Sequence, residues 1–256
     1  MSYTDLEDKV VVITGAAQGI GRSYAGRFIT EGATVILVDK SQDGVEHAAA
    51  SLNEDGAKGK AIAHVVDVSD RQSCRQLASS LTDDFGRVDG LVNNAAIFST
   101  IEMKPFWDIT DDEWDQIMAV NLRGPWLLTS VLLPLLRASD SASIVNIGSD
   151  AVAMGRQGYL HYVASKGGVT GMSFAMSHEL GDSGIRVNTL SPGPVYTDVQ
   201  RGTVTSAQKE SMVARQALHR TAGPEDMTSL AAFLISNDSS YITGQTISVN
   251  GGLIHR

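Results

Sequence analysis

Short runs of apolar, largely β-branched residues alternate along the chain with longer stretches whose apolar positions recur every three or four residues. The first pattern marks strands buried on both faces, and the second marks helices that lay one stripe on a sheet. Residues 9–14 (KVVVIT) form the first predicted strand, followed by a glycine-rich turn at 15–21 and a helix through Arg22, Tyr24, Phe28 and Ile29 that closes at Gly32. Strand two covers 34–38 and ends at Asp39; an Ala-rich helix covers 42–53. Strand three covers 61–66 and ends at Asp67; Ser69 is the predicted cap of a helix over 69–85. Strand four covers 88–92 and runs into Asn93-Asn94-Ala95-Ala96. Residues 97–109 lack periodicity. A long helix then starts at Thr110 or Asp111 and runs to about 137, with Pro125 and Pro134 placed to kink it. Strand five covers 143–147, a helix rich in small residues covers 159–180, and strand six covers 185–190, ending in Ser191-Pro192-Gly193. Residues 195–221 are polar with poor periodicity and read as a mobile substrate lid. Pro224 sits at the first position of a helix over 225–236, and 246–249 is a last strand.

Strands alternating with helices predict βαβ units and a doubly wound α/β fold with a parallel sheet of about seven strands. No repeat, low-complexity tract or linker divides the chain, so residues 1–256 are read as one domain. The length and a 43% hydrophobic composition suffice for a sizeable core. The net charge of −9, without a Lys/Arg cluster, argues against nucleic acid as a partner. The opening MSYTDLEDK is too polar for a secretory signal, and the apolar run 126–136 is too short to span a bilayer and reads as a buried helix. A single cysteine, Cys74, fits a reducing compartment. The expectation is a cytoplasmic protein with no membrane partner. The six histidines show no ligand spacing, and no metal is assigned.

The turn TGAAQGIG at 14–21 joins a strand to a helix. Glycines at 15, 19 and 21 allow a tight turn and close approach of a ligand, and the helix N-terminus presents free N–H groups to a pyrophosphate. The spacing is G-x-x-x-G-x-G rather than the commoner G-x-G-x-x-G. Asp39, 18 residues after Gly21, can accept both hydroxyls of an adenosine ribose and repels a 2′-phosphate, which favours NAD over NADP; Lys40 beside it weakens that preference. Asp67 can bond an adenine amino group. Tyr162 and Lys166, one helical turn apart, pair a phenol with an ammonium on one face, and Ser149 ends the apolar run before them.

Together these residues resemble the short-chain dehydrogenase/reductases over essentially the whole chain. The carrying motifs are TGAAQGIG, Asp39, Asp67-Val68, Asn93-Asn94-Ala95-Ala96, Asn121, Ser149, Tyr162-Val-Ala-Ser-Lys166 with Ser149 13 residues before the Tyr, and Pro192-Gly193 with Thr197. The resemblance implies a Rossmann sheet and an enzyme moving a hydride between NAD(H) and a secondary alcohol or ketone. In that reading the catalytic set is Asn121, Ser149, Tyr162 and Lys166. The cofactor would contact Gly15, Gln18, Gly19, Ile20, Gly21, Asp39, Asp67, Val68, Asn94, Ala95, Tyr162, Lys166, Pro192, Gly193, Val195 and Thr197. Tyr162 would exchange the proton, Ser149 would bond the substrate oxygen, and Asn121 would hold a water on a proton path from Lys166. A free phenol ionises at about pH 10, and one ammonium about 4 Å away supplies on the order of 4 kcal/mol at an effective dielectric of about 20, close to the shift needed near neutrality. Substrate contacts are assigned to Ser149, Asp150, Ala151, Tyr159 and Tyr162, with Ala96, Ile97, Phe98 and Gly193 in the same pocket.

Two positions depart from the family pattern. Ala96 stands where Gly is usual, narrowing the pocket by a methyl. Asp150 follows Ser149 and has two readings: facing a polar substrate, or turned into solvent. The ending ITGQTISVNGGLIHR resembles a segment found at the family's tetramer interface, which implies a homotetramer. Two rival functions stay open: an NADPH-dependent 3-oxoacyl (acyl-carrier) reductase, and a non-enzymatic nucleotide-sensing regulator on the same fold.

Overall fold

Seven parallel strands form one sheet in the order β3-β2-β1-β4-β5-β6-β7. The computed structural model describes residues 3–54, 56, 58–199 and 205–255. β1 (Val10–Thr14), β4 (Gly90–Asn93), β5 (Ser143–Ile147) and β6 (Arg186–Pro192) are buried along their whole length, as their continuous apolar runs require. β2 (Thr34–Asp39) is buried between its ends, while the outer strands β3 (Lys60–Val65) and β7 (Thr246–Val249) are partly open.

The two-residue strand period divides β1 between two cores. Val11 and Ile13 pack on one face with Phe28 and Ile29 of α1 (Gly19–Thr30) and Met227, Ala231 and Leu234 of α9 (Glu225–Ile235). Val10 and Val12 pack on the other with Leu77 and Leu81 of α3 (Arg71–Asp84) and Leu127, Leu128 and Leu132 of α5 (Gly124–Arg137). α2 (Gln42–Glu54) bridges β2 and β3 on the first side. The chain winds outward from β1 in both directions, so the crevice between the carboxyl ends of β1 and β4 is the switch point where such sheets bind ligands.

The predicted long helix is broken. α4 (Asp111–Met118) opens with a capping box between Thr110 and Glu113, but Ala119–Arg123 form a π turn before α5 begins. Pro125 has no N–H to return to the Asn121 carbonyl, so the i→i−4 ladder cannot run through this point. The helix does continue through Pro134. The run Asp111–Arg137 is long and apolar enough to cross a membrane, yet half of its most apolar window is buried inside the domain. The cap of α3 is Asp70, which accepts the Ser73 N–H at 2.7 Å, not Ser69. Ser69 instead donates its hydroxyl and its N–H to Asp67 at 2.6 and 2.8 Å. The predicted lid contains a helix, α8 (Ser206–Ala214), and residues 200–204 lie outside the described residues. Two elements follow β5: α6 (Ala151–Met154) and α7 (Leu160–Glu179).

Candidate active site

The carboxyl ends of β1, β2, β4, β5 and β6 surround a cavity of about 490 Å³. Its first wall is the glycine turn. Gly15 has φ +65°, and a Cβ there would lie 2.8 Å from the Ala95 Cα. A Cβ on Gly21 would run into the Gly15 carbonyl and the Asn94 amide. Only glycine lets this turn fold against β4. Asn94 locks it in place: its Nδ2 donates to the Thr14 and Gly15 carbonyls at 2.8 and 3.2 Å, while Thr14 Oγ1 accepts the N–H groups of Asn94 and Ala95. No side chain caps the start of α1, so its first N–H groups are open to an anion from the cavity. Val199 and Thr197 lie across this turn; a Cβ on Gly19 would sit 3.2 Å from Val199 Cγ2.

Asp39 lines the cavity at the end of β2. One of its oxygens accepts the Ala17 N–H at 3.2 Å and the other the Ser41 N–H at 3.1 Å. The carboxylate is thereby held beside the glycine turn. Asp67 and Val68 line the same end, as do Gln18, Ile20 and Ala95. Pro192, Gly193, Val195 and Thr197 line it from β6 onward, and Gly193 is fixed by its N–H to the Val249 carbonyl at 2.9 Å. An open helix start, a glycine cradle and a carboxylate one strand away fit a dinucleotide.

Ser149, Tyr162 and Lys166 line the same cavity from β5 and α7. Lys166 is buried, and its Nζ donates to the Ile147 carbonyl at 2.7 Å and lies 6.0 Å from the Tyr162 ring centre. The Phe98 ring packs against Tyr162 at 4.6 Å. Burial pulls the Lys166 ammonium down to about 8. The unfolded chain therefore holds more protons than the folded one between about pH 8 and 10.5, and this lysine's contribution to stability rises with pH across that window. Lys166→Met removes the group. The wild type should gain stability relative to that variant as pH rises from 8 to 10.5, read from urea midpoints; a constant difference between the two would contradict a Lys166 whose proton burial has loosened.

Asn121 sits on the π turn, fully buried, and does not line the cavity. Its Oδ1 accepts the Ile97 N–H at 2.7 Å and its Nδ2 donates to the Ile97 carbonyl at 3.1 Å. Nδ2 also reaches Ser165 Oγ at 3.4 Å, and that hydroxyl donates to the Tyr162 carbonyl at 2.7 Å. The Asn121 side chain thus ties the loop after β4 to α7.

Two substrate contacts expected from the sequence are corrected. Asp150 neither faces the cavity nor reaches solvent: it is fully buried, and its carboxylate accepts from Ser191 Oγ at 2.7 Å, Ser248 Oγ at 2.8 Å and Asn250 Nδ2 at 2.6 Å. It turns under the ends of β6 and β7, where three donors converge. Tyr159 is also buried away from the cavity, between the Phe98 ring at 5.7 Å and the Arg156 guanidinium at 4.8 Å. Ala96, Ile97, Phe98 and Ala151 do line the pocket.

The family model described as enoyl-(acyl carrier protein) reductase matches residues 15–254. The 3-oxoacyl-[acyl-carrier-protein] reductase of Thermotoga maritima is 36% identical over 252 residues, covering 97% of this chain and 99% of that protein. A structure of a short-chain dehydrogenase/reductase titled glucose/ribitol dehydrogenase, from Brucella melitensis, covers 100% of both chains with a TM-score of 0.90 at 32% identity. The chain belongs to the short-chain dehydrogenase/reductase family. Levodione reductase is a further structural neighbour, with a TM-score of 0.89, 31% identity, and 96% and 97% of the two chains covered. As a short-chain dehydrogenase/reductase the chain is an oxidoreductase with a nicotinamide cofactor.

Sequence reasoning missed several residues of this short-chain dehydrogenase/reductase pocket. Met154 and Arg156 reach it from α6 and its end and Gln116 from α4, while Gln208 and Met212 of α8 fall within the expected substrate lid. For α8 a signal was present: Thr205 and Gln208 form a capping box, T-x-x-Q, that marks a helix start.

Proposed function

We propose that this chain interconverts secondary alcohols and ketones with NAD(H). The observation that carries the reading is one cavity shared by Asp39, the glycine turn and the Ser149, Tyr162 and Lys166 side chains. The nicotinamide supplies or accepts the hydride. Ser149 Oγ hydrogen-bonds the substrate oxygen, and the Tyr162 hydroxyl gives or takes its proton. The Lys166 ammonium stabilises the phenolate, and its bond to the Ile147 carbonyl fixes where that charge sits. Asn121 positions Ile97 at the pocket rim. Ile97, Phe98, Ala151 and Met154 give the substrate a mainly apolar bed and limit water near the reacting atoms. The acidic composition and the lone buried Cys74 suit the cytoplasm, and a homotetramer is the proposed assembly.

NAD(H) is preferred because a 2′-phosphate would meet the Asp39 carboxylate. The expected ratio of kcat/KM is at least roughly tenfold toward NAD(H), the size of one misplaced like-charge contact. Asp39→Ser should narrow that ratio, and steady-state assays with both cofactors check it. A second reading, an NADPH-dependent 3-oxoacyl reductase, is favoured by the name of the Thermotoga relative. A wild-type ratio favouring NADP(H), with turnover of a 3-oxoacyl thioester, would select it.

A further inference from the structure

The pocket's substrate end contains a cation that the proton chemistry does not use. Arg156 follows α6 and lines the cavity, half-buried. Its backbone is fixed. Gly155 takes the left-handed conformation at φ +57°, its N–H donates to the Val152 carbonyl, and the Arg156 N–H reaches back to the Ala151 carbonyl at 3.1 Å. This is the double closure of a helix C-terminus that needs glycine at its centre. The guanidinium is held as well: its Cζ stacks 4.8 Å from the centre of the buried Tyr159 ring, which packs in turn on Phe98.

Nothing neutralises this charge among the described residues. The guanidinium forms no ion pair there. The carboxylates that line the cavity are Asp39 and Asp67, at the ends of β2 and β3, on the other side of the switch point from β5 and α6. Lys166, the nearest cation in chain order, is buried against Ile147 and Tyr162. A stacked guanidinium keeps its in-plane N–H donors free for a planar anion. Ala151, Met154 and Phe98 add apolar surface to the same cavity.

We infer that Arg156 is a specificity-determining residue that binds an anionic group of the substrate, so the physiological alcohol or ketone carries a carboxylate or phosphate. This rests on the alcohol–ketone reading above and names the substrate class within it. The carboxylate of a free hydroxy or oxo acid and the phosphate of a carrier-linked thioester are two sources of the same chemistry.

Two matched pairs distinguish them. One is 3-hydroxybutyrate against its methyl ester. The other is 3-oxobutyryl-coenzyme A against the N-acetylcysteamine thioester, which lacks phosphate. In one pair the wild type should prefer the anionic member by roughly tenfold or more in kcat/KM, the scale of a charge-assisted hydrogen bond. Arg156→Gln should collapse that ratio toward one through KM, while Arg156→Lys should keep part of it. Which pair shows the preference identifies the source. Turnover of the neutral members with no preference in either pair overturns the inference and leaves alcohol–ketone chemistry standing, as does a preference that Arg156→Gln leaves intact. If no member of either pair, and no other secondary alcohol or ketone, is turned over with either cofactor, the function itself fails, and the inference with it.

Discussion

Tyr162→Phe lowers turnover by roughly 10²–10⁴-fold while NADH still binds. The substitution removes one hydroxyl and leaves the ring in its contacts with Phe98 and Lys166, so the pocket keeps its shape. Lys166 keeps its bond to Ile147 as well. In the proposed mechanism what is lost is the proton donor at the substrate oxygen; Ser149, whose Oγ accepts the Ala151 N–H at 3.2 Å, remains to polarise that oxygen. Single-turnover absorbance gives the rate, and quenching of protein fluorescence gives NADH affinity. Retention of more than a tenth of wild-type turnover with intact NADH binding would remove Tyr162 from the acid–base role.

Asp150→Ala should destabilise the fold by about 3 kcal/mol or more. Ser191 Oγ, Ser248 Oγ and Asn250 Nδ2 all donate to this carboxylate, and a buried donor left without an acceptor costs roughly 1–3 kcal/mol. Asn250 Nδ2 keeps the Ile254 carbonyl as a partner, at 3.1 Å, which softens its share. For a chain of this size each kcal/mol moves the thermal midpoint by about 2–4 °C, so a drop of about 6–12 °C is expected. Asp150→Asn, which keeps one acceptor oxygen, should fall between the two. The carboxylate also joins β6, β7 and the C-terminal segment to the residue next to Ser149. Turnover should therefore fall with stability. Scanning calorimetry checks the first; a midpoint shift under about 2 °C for the alanine variant would show that the network contributes little.

The contrast between these two residues marks what the sequence can reveal. Tyr162 and Lys166 lie one helical turn apart, so a local pattern brings them together before any fold is known. The strands were equally local, because β-branched runs bounded by Gly, Asp and Asn suit only a buried parallel sheet. Asp150 was misread because its partners at 191, 248 and 250 are 41 to 100 residues away and meet only where β6 and β7 pair. Tyr159 misled for a different reason. It sits at the helix start, with backbone outside helical values, and its ring is taken up by Phe98 and Arg156. The π turn at Ala119–Arg123 was half visible: Pro125 announced a break without saying that the chain would bulge rather than kink. Arg156 carried only the mark of Gly155, a helix stop, and its charge gained meaning once Asp39 and Asp67 were placed at the opposite end of the cavity.

The central claim, that the Ser149–Tyr162–Lys166 cluster serves hydride exchange with NAD(H), is tested most directly by the absorbance of reduced nicotinamide. Wild-type protein is mixed with NAD or NADP and a panel of secondary alcohols, and with the reduced cofactors and the matching ketones. Cofactor turnover is expected with at least one alcohol–ketone couple, faster with NAD(H) by roughly tenfold or more. No absorbance change with either cofactor across the panel, from protein that binds NADH, would contradict it.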